Sequence, residues 1–182
     1  MIQRFTFGCP LPTESVVLPV EPAAAAVPYL TAEPDGSWSF SLAEDAVVYG
    51  LGEMPRGINK RGWHYVTDNT DESHHGENRL SYYGAHNFLL IDGGAGRSVF
   101  GVFVDFPGKV FYDIGYTRHD RLTFRPHEPD YDLHILPGAS PHAVFTECRH
   151  RIGHRFIPPK PALGFSPHPP RQQTAREHAR HT

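Results

Sequence analysis

Short apolar runs separated by turn residues are the feature that most limits how this chain can fold. Three consecutive runs are each long enough for one strand: Asn87–Ile91, Ser98–Asp105 and Lys109–Gly115. Glycine-rich and proline-containing turns divide them, and the 182 residues include 18 prolines and 17 glycines, which disfavours long helices. Many short strands at such intervals predict an antiparallel β-sandwich or barrel.

Further strands are predicted on both sides of this series. Alternating or continuous apolar residues mark Ile2–Phe7, Val16–Leu18, Ser37–Leu42, Val47–Tyr49, Leu122–Arg125 and Tyr131–Leu136. One helix is predicted, since Ser140 and Pro141 form a typical helix start and Gly153 a typical end. The fold class expected is therefore mostly β, with one short C-terminal helix.

Three segments are predicted along the chain. Residues 1–140 hold the β-sandwich, and residues 141–165 hold the helix and an extended linker. Residues 166–182 have no aromatic ring other than histidine and no aliphatic side chain larger than alanine. Such a segment cannot form a core, so we expect a disordered tail.

Composition and charge exclude several classes of partner. A formal net charge of −3 argues against nucleic acid, which needs a basic surface. No apolar run approaches the ~20 residues of a membrane span.

Without a signal-peptide pattern at the start, the chain is expected in the cytoplasm, with Cys9 and Cys148 as free thiols. Gly50-Leu51-Gly52-Glu53 lacks the third glycine of a phosphate loop, and no cofactor is expected.

The segment Thr67–His75 contains no apolar side chain, so we expect an exposed loop. Asp68, Asp71 and Glu72 are its carboxylates, but a solvated loop does not suit a complete catalytic pair. A single carboxylate that binds sugar hydroxyls is one interpretation. A solvated turn in which Asp71 caps the backbone is another.

Two further features of this region have alternative interpretations. His64, His74, His75 and His86 could hold a metal ion, or could simply be polar loop residues. Nearby aromatic side chains could stack on sugar rings, or could belong to the core: Trp63, Tyr65, Tyr82 and Tyr83.

Seven short motifs, taken in order, resemble glycoside hydrolase family 31, and in particular its bacterial α-glucosidases. They are Tyr49–Glu53, Arg56–Gly62, Asn69–Asp71, Tyr83–Phe88, Gly101–Phe103, Phe111–Gly115 and Ile157–Lys160. The resemblance implies an N-terminal β-sandwich of the galactose-mutarotase type, followed in the family by a catalytic (β/α)8 barrel. It also implies that Asp71 and, more weakly, Ser73 contact the substrate from a loop over the barrel. Beyond Phe165 the likeness stops, so we expect a truncated or frameshifted product without catalytic residues.

The resemblance therefore implies the N-terminal domain of a retaining α-glucosidase that hydrolyses terminal α-linked glucose. Its expected ligand is an α-glucoside or a malto- or isomalto-oligosaccharide, and the chain alone is expected to be inactive. Two alternatives remain open at this point. One is a free-standing carbohydrate-binding or assembly domain, and the other is a small metal-dependent sandwich enzyme.

Overall fold

The computed structural model describes residues 2–71, 73–153 and 157–163. Two five-stranded antiparallel sheets make up most of it. The predicted tail, residues 166–182, lies outside the described residues. The bounds of the strands are β1 Gln3–Phe7, β2 Thr31–Ala32, β3 Trp38–Ser41, β4 Val47–Gly52, β5 Trp63–Val66, β6 Ala85–Asp92, β7 Val99–Asp105, β8 Val110–Ile114, β9 Arg121–Pro126 and β10 Tyr131–Gly138.

The strand order of the first sheet is β1-β10-β7-β6-β4, and that of the second is β2-β3-β9-β8-β5. The predicted antiparallel β-sandwich is confirmed. The apolar runs of β6, β7 and β8 became strands because their buried side chains have a second sheet to pack against. Side chains from both sheets form the main core, including Val48, Leu89, Ile91, Phe100, Leu133, Tyr65, Tyr112, Ile114, Leu122 and Phe124. Burying one such side chain fully contributes about 1.5–3 kcal/mol.

The predicted helix is also confirmed, as α1 Pro141–Ile152. The Ser140 hydroxyl accepts a hydrogen bond from the backbone N–H of Ala143 at 3.2 Å, which caps the first turn. Val144 and Cys148 are buried against the face of the first sheet that points away from the main core. Both cysteines are free, as predicted, with Cys9 exposed and Cys148 buried.

One predicted strand is wrong, and two strands were not predicted. Val16–Leu18 lies beside the end of α1 instead, where the backbone N–H groups of Val17 and Leu18 both donate to the carbonyl of Arg151. Arg151 is far from Val17 and Leu18 in the sequence, so only the tertiary structure brings its carbonyl within hydrogen-bond distance of their N–H groups. The short edge strands β2 and β5 were missed because neither has enough residues to show an alternating pattern.

The connection between β5 and β6 is the part of the fold that matters most for function. It leaves the second sheet at Val66 and enters the first sheet at Ala85. We call residues 67–84 the crossing loop. Within the part of the chain that the structure describes, no helix is long and apolar enough to cross a membrane.

Candidate functional site

A buried polar network holds the base of the crossing loop. The Thr67 hydroxyl donates to Oδ1 of Asn87, and the Tyr112 hydroxyl donates to the same oxygen at 3.3 Å. Nδ2 of Asn87 donates to the carbonyl of Phe106 at 3.1 Å, while the Val110 N–H donates to Oγ1 of Thr67 at 3.1 Å. Burial raises the pKa of the Tyr112 phenol well above its usual value, so this hydroxyl remains a donor. The network joins the two sheets where the loop begins.

The two arms of the crossing loop run side by side above this base. Hydrogen bonds of 2.7–3.3 Å join them, from Val66 N to Leu80 O, Asp68 N to Ser81 Oγ, Thr70 N to Tyr82 O, and Ala85 N to Asn69 Oδ1. The Tyr82 hydroxyl donates to the carbonyl of Gly76 at 3.1 Å, which folds the outer part of the loop back on itself. The loop is therefore an ordered projection in which backbone groups near its base are paired.

Glycines beneath the loop allow a close approach between backbones. Gly50 and Gly52 have positive φ angles of 124° and 72°, and the pairing of β4 with β6 shifts register between them. A Cβ atom on Gly52 would lie 2.2 Å from the carbonyl oxygen of Gly84. The Glu53 N–H donates to that same carbonyl at 2.9 Å, so Glu53 anchors the loop through its backbone.

Asp71 and Ser73, the two predicted substrate-binding residues, lie on the exposed outer part of the crossing loop. Oγ of Ser73 is 2.9 Å from Nδ1 of His74. The Asp71 carboxylate forms no hydrogen bond or ion pair with the residues that the structure describes, so the backbone-capping interpretation finds no support there. Its oxygens face solvent and are accessible to a ligand.

The histidines of this region have separate contacts. The ring of His75 packs on Tyr82 and Tyr83 at 5.0 and 5.3 Å, and the ring of His64 packs on Tyr116 at 4.6 Å. Among residues 2–71, 73–153 and 157–163, no group of three or more His, Cys, Asp or Glu side chains could hold a metal ion. Among these residues, the metal-enzyme interpretation therefore has no ligand set.

The four aromatic rings considered for sugar stacking divide into two pairs. Tyr65 and Tyr82 are buried, and Tyr65 belongs to the main core. Trp63 is 44% exposed, with the guanidinium of Arg56 4.2 Å from its ring centre, and Tyr83 is 42% exposed. Only Tyr83 of the exposed pair belongs to the crossing loop.

The basic motif Arg56–Gly62 has a structural role. Nη1 of Arg61 donates to the backbone carbonyls of Glu44 and Ala46, at 2.8 and 3.3 Å. Lys60 is 5% exposed, its Nζ donates to the carbonyl of Pro55 at 3.4 Å, and burial lowers its pKa. These cations hold the segment between β4 and β5 in place.

A cavity beside the base of the crossing loop was not predicted from the sequence. Its volume is about 760 Å³. Four stretches of chain line it: Leu11–Thr13 with Ser15, Thr67–Asn69, Ala85–Asn87 and Phe103–Lys109. Because these stretches are far apart in sequence, no local pattern could have indicated the cavity. We refer to it as the base cavity.

Comparison with known proteins identifies the domain type. The sequence model of the family described as "Glycosyl hydrolase 31 N-terminal galactose mutarotase-like domain" matches residues 26–113. Alpha-glucosidase 2 of Bacillus thermoamyloliquefaciens is 29% identical over 129 residues, which cover 69% of this chain and 16% of that protein.

Solved structures share the fold. A Flavobacterium johnsoniae GH31 dextranase complexed with glucose matches with a TM-score of 0.60 and 24% identity, over 78% of this chain and 17% of that chain. A cycloalternan-degrading enzyme from Trueperella pyogenes, in complex with isomaltose, matches with a TM-score of 0.52 and 20% identity, over 60% and 16%. This chain thus spans about a sixth of the length of these relatives. Residues 26–113 thus match the N-terminal galactose mutarotase-like domain of glycosyl hydrolase family 31, the family that the motifs predict.

Proposed function

We propose that this chain is the substrate-contacting N-terminal domain of an α-glucosidase. In this proposal the crossing loop brings Asp71 to a terminal α-linked glucose unit. The observation that carries the proposal is the contrast within the loop: its base is fixed by buried hydrogen bonds, whereas the Asp71 carboxylate is exposed and has no partner among the described residues. A carboxylate on an ordered loop is suited to accept hydrogen bonds from sugar hydroxyls.

The relatives support a carbohydrate ligand. One is named an alpha-glucosidase, and two solved structures with the same fold contain glucose or isomaltose. Ser73 is a second candidate contact. It is the weaker one, because Nδ1 of His74 already lies within hydrogen-bond distance of its hydroxyl. A neutral α-glucoside or isomalto-oligosaccharide fits a loop whose exposed groups include hydroxyls, carboxylates and imidazoles.

Hydrolysis needs a pair of carboxylates in different settings, and Asp68 and Asp71 of the crossing loop do not form such a pair. A retaining glycosidase uses one carboxylate as nucleophile and a second, placed in an apolar setting, as general acid. In the crossing loop, Asp68 forms an ion pair of 2.7 Å with Lys109, and Asp71 is exposed. Neither has the buried environment of a general acid. We propose that the chain alone binds sugar weakly and does not hydrolyse an aryl α-glucoside.

Residue-resolved NMR titration of the 182-residue chain with isomaltose tests this proposal. We expect saturable chemical-shift changes at Asp71 and Ser73, with little change on the opposite end of the sandwich. An absence of changes in the crossing loop at high millimolar isomaltose would refute it.

The same titration addresses the free-standing binding module. Pockets that bind small ligands tightly bury most of the ligand, which an exposed loop tip cannot do. We therefore expect a millimolar Kd. A submicromolar Kd would favour an independent carbohydrate-binding domain.

A further inference from the structure

We propose that the base cavity binds a second glucose unit of the same oligosaccharide. This inference rests on the proposed function, because it assigns one unit to Asp71 and the neighbouring unit to the cavity. Its volume of about 760 Å³ lies within the roughly 300–1,000 Å³ range of small-ligand sites.

The walls of the base cavity are held by hydrogen bonds within the protein. On one side, the Thr13 hydroxyl donates to Oδ1 of Asp105 at 2.5 Å, which fixes the N-terminal segment against the end of β7. On the other side, the Thr67–Asn87 pair fixes the start of the crossing loop against β6. The cavity is therefore largely formed before a ligand arrives, which lowers the entropic cost of binding.

Several polar groups that line the cavity have unused hydrogen-bonding capacity. Asn69 accepts from Ala85 N through Oδ1, and its Nδ2 group donates to none of the described residues. The ring of His86 likewise has no hydrogen-bond partner within the described chain. Asp68 uses Oδ2 in its ion pair with Lys109, which leaves Oδ1 as an acceptor. Donors and acceptors therefore occur side by side, as a sugar with many hydroxyl groups requires.

Two aromatic rings add an apolar surface to the same cavity. Phe103 and Phe106 are both partly buried and line it from the end of β7. The C–H faces of a pyranose ring can pack on such rings, while its hydroxyls reach the polar groups opposite. A mixed lining of this kind suits a sugar better than a purely apolar ligand.

The charges of the lining favour a neutral ligand. Lys109 is the one Lys or Arg side chain that lines the cavity among the described residues, and Asp68 already neutralises it. Asp105 adds negative charge, so a phosphate or carboxylate ligand would be repelled. A divalent cation is also disfavoured, because the described residues contain no cluster of metal ligands.

The cavity and Asp71 are close enough for one oligosaccharide to reach both. Asn69 lines the cavity and precedes Asp71 by two residues. Their Cα atoms are therefore no more than about 7 Å apart. A linear glucan that contacts Asp71 with its terminal unit can place the next unit beside Asn69.

The test compares glucose with isomaltotriose by NMR titration of the whole 182-residue chain. We expect isomaltotriose to shift the side-chain amide of Asn69 and the ring of His86 in addition to the crossing-loop tip. We also expect about five-fold tighter binding than for glucose, the gain that one or two net hydrogen bonds supply.

Two variants each remove a hydrogen-bond donor that lines the base cavity, with little change in the shape of the side chain. Asn69→Asp retains the acceptor for Ala85 N but loses the amide donor, and His86→Phe retains a ring. Each should bring isomaltotriose affinity to within about two-fold of glucose affinity, because the lost donors are those that recognise the second unit. His142→Phe, at an exposed position on α1, is the matched control and should leave the ratio unchanged.

The outcomes separate this inference from the proposed function. Shifts confined to the loop tip, with equal affinities for both sugars, would overturn the second site and leave the role of Asp71 intact. No shift at either place would overturn both. Cavity shifts in Asp71→Ala at an unchanged isomaltotriose affinity would support the cavity as a sugar site and contradict the role of Asp71.

Discussion

Thr67 and Asn87 hydrogen-bond to each other at the point where the crossing loop leaves one sheet and approaches the other. Thr67 follows the edge strand β5, and Asn87 lies in β6 of the other sheet. Both side chains are buried, at 6% and 8% exposure. This pair therefore fixes where the loop starts, and with it the position of Asp71.

Replacing Thr67 with valine tests this anchor. Thr67→Val keeps the shape of the side chain but removes its hydroxyl. The buried Val110 N–H then loses its acceptor, and Oδ1 of Asn87 loses one of its two donors. We expect the free energy of unfolding to fall by about 1–3 kcal/mol, measured by urea denaturation. Thr70→Val, at an exposed position of the same loop, is the control and should change it by less than about 0.5 kcal/mol. Equal effects of the two substitutions would contradict the anchoring role.

Gly52 and Gly36 provide a matched pair for the close approach beneath the loop. Both have positive φ angles, 72° and 80°, so alanine at either position costs about 1–2 kcal/mol in backbone strain. A Cβ on Gly36 would meet nothing within 4 Å, whereas one on Gly52 would lie 2.2 Å from the Gly84 carbonyl. Gly52→Ala should therefore be less stable than Gly36→Ala by roughly 1–3 kcal/mol in the same denaturation experiment. If both variants lose the same stability, the backbone contact at Gly84 is not a constraint.

His134 predicts a pH dependence of stability. Its ring is 4% exposed, and burial lowers its pKa below the ordinary value of 6.5, although Asp105 and Asp132 partly oppose this shift. The unfolded chain therefore binds a proton at a higher pH than the folded chain does. The contribution to stability is complete above about pH 6.5 and is lost as the pH falls from there through the lowered pKa of the folded state.

A pair of histidine variants isolates this effect. His134→Gln should flatten the decrease in melting temperature between pH 6.5 and mildly acidic pH. His142→Gln, on the exposed surface of α1, should leave the pH profile as it is. A His134→Gln profile that keeps the full acid-side slope would assign the pH dependence to other groups.

Much of the fold could be predicted from local sequence patterns. The long runs that became β6 and β7 are predictable because a strand between two apolar layers needs a continuous apolar sequence, and β8 is predictable from its β-branched and aromatic residues. The ends of α1 are predictable because Ser140 accepts a hydrogen bond from the first turn, Pro141 has no N–H to leave unpaired there, and Gly153 adopts a positive φ of 92° where the helix ends. The exposure of most of the segment Thr67–His75 follows from its lack of apolar side chains.

Long-range contacts account for what local patterns missed. Val16–Leu18 has the residues of a strand but pairs with the carbonyl of Arg151, and β5 has only four residues. The base cavity requires four distant segments to meet, and the Thr67–Asn87 bond depends on two sheets being in place. Asp71 itself was singled out through a family resemblance, since residue chemistry alone left a solvated turn as an alternative.

The affinity of the chain for isomaltose, with and without the Asp71 carboxylate, tests the central claim most directly. We predict that Asp71→Ala weakens binding by at least about ten-fold, as expected for loss of charge-assisted hydrogen bonds. Asp120→Ala, which removes an exposed carboxylate between β8 and β9, should leave the Kd unchanged. Equal isomaltose affinity in the wild-type chain and Asp71→Ala would contradict the proposed role of the crossing loop.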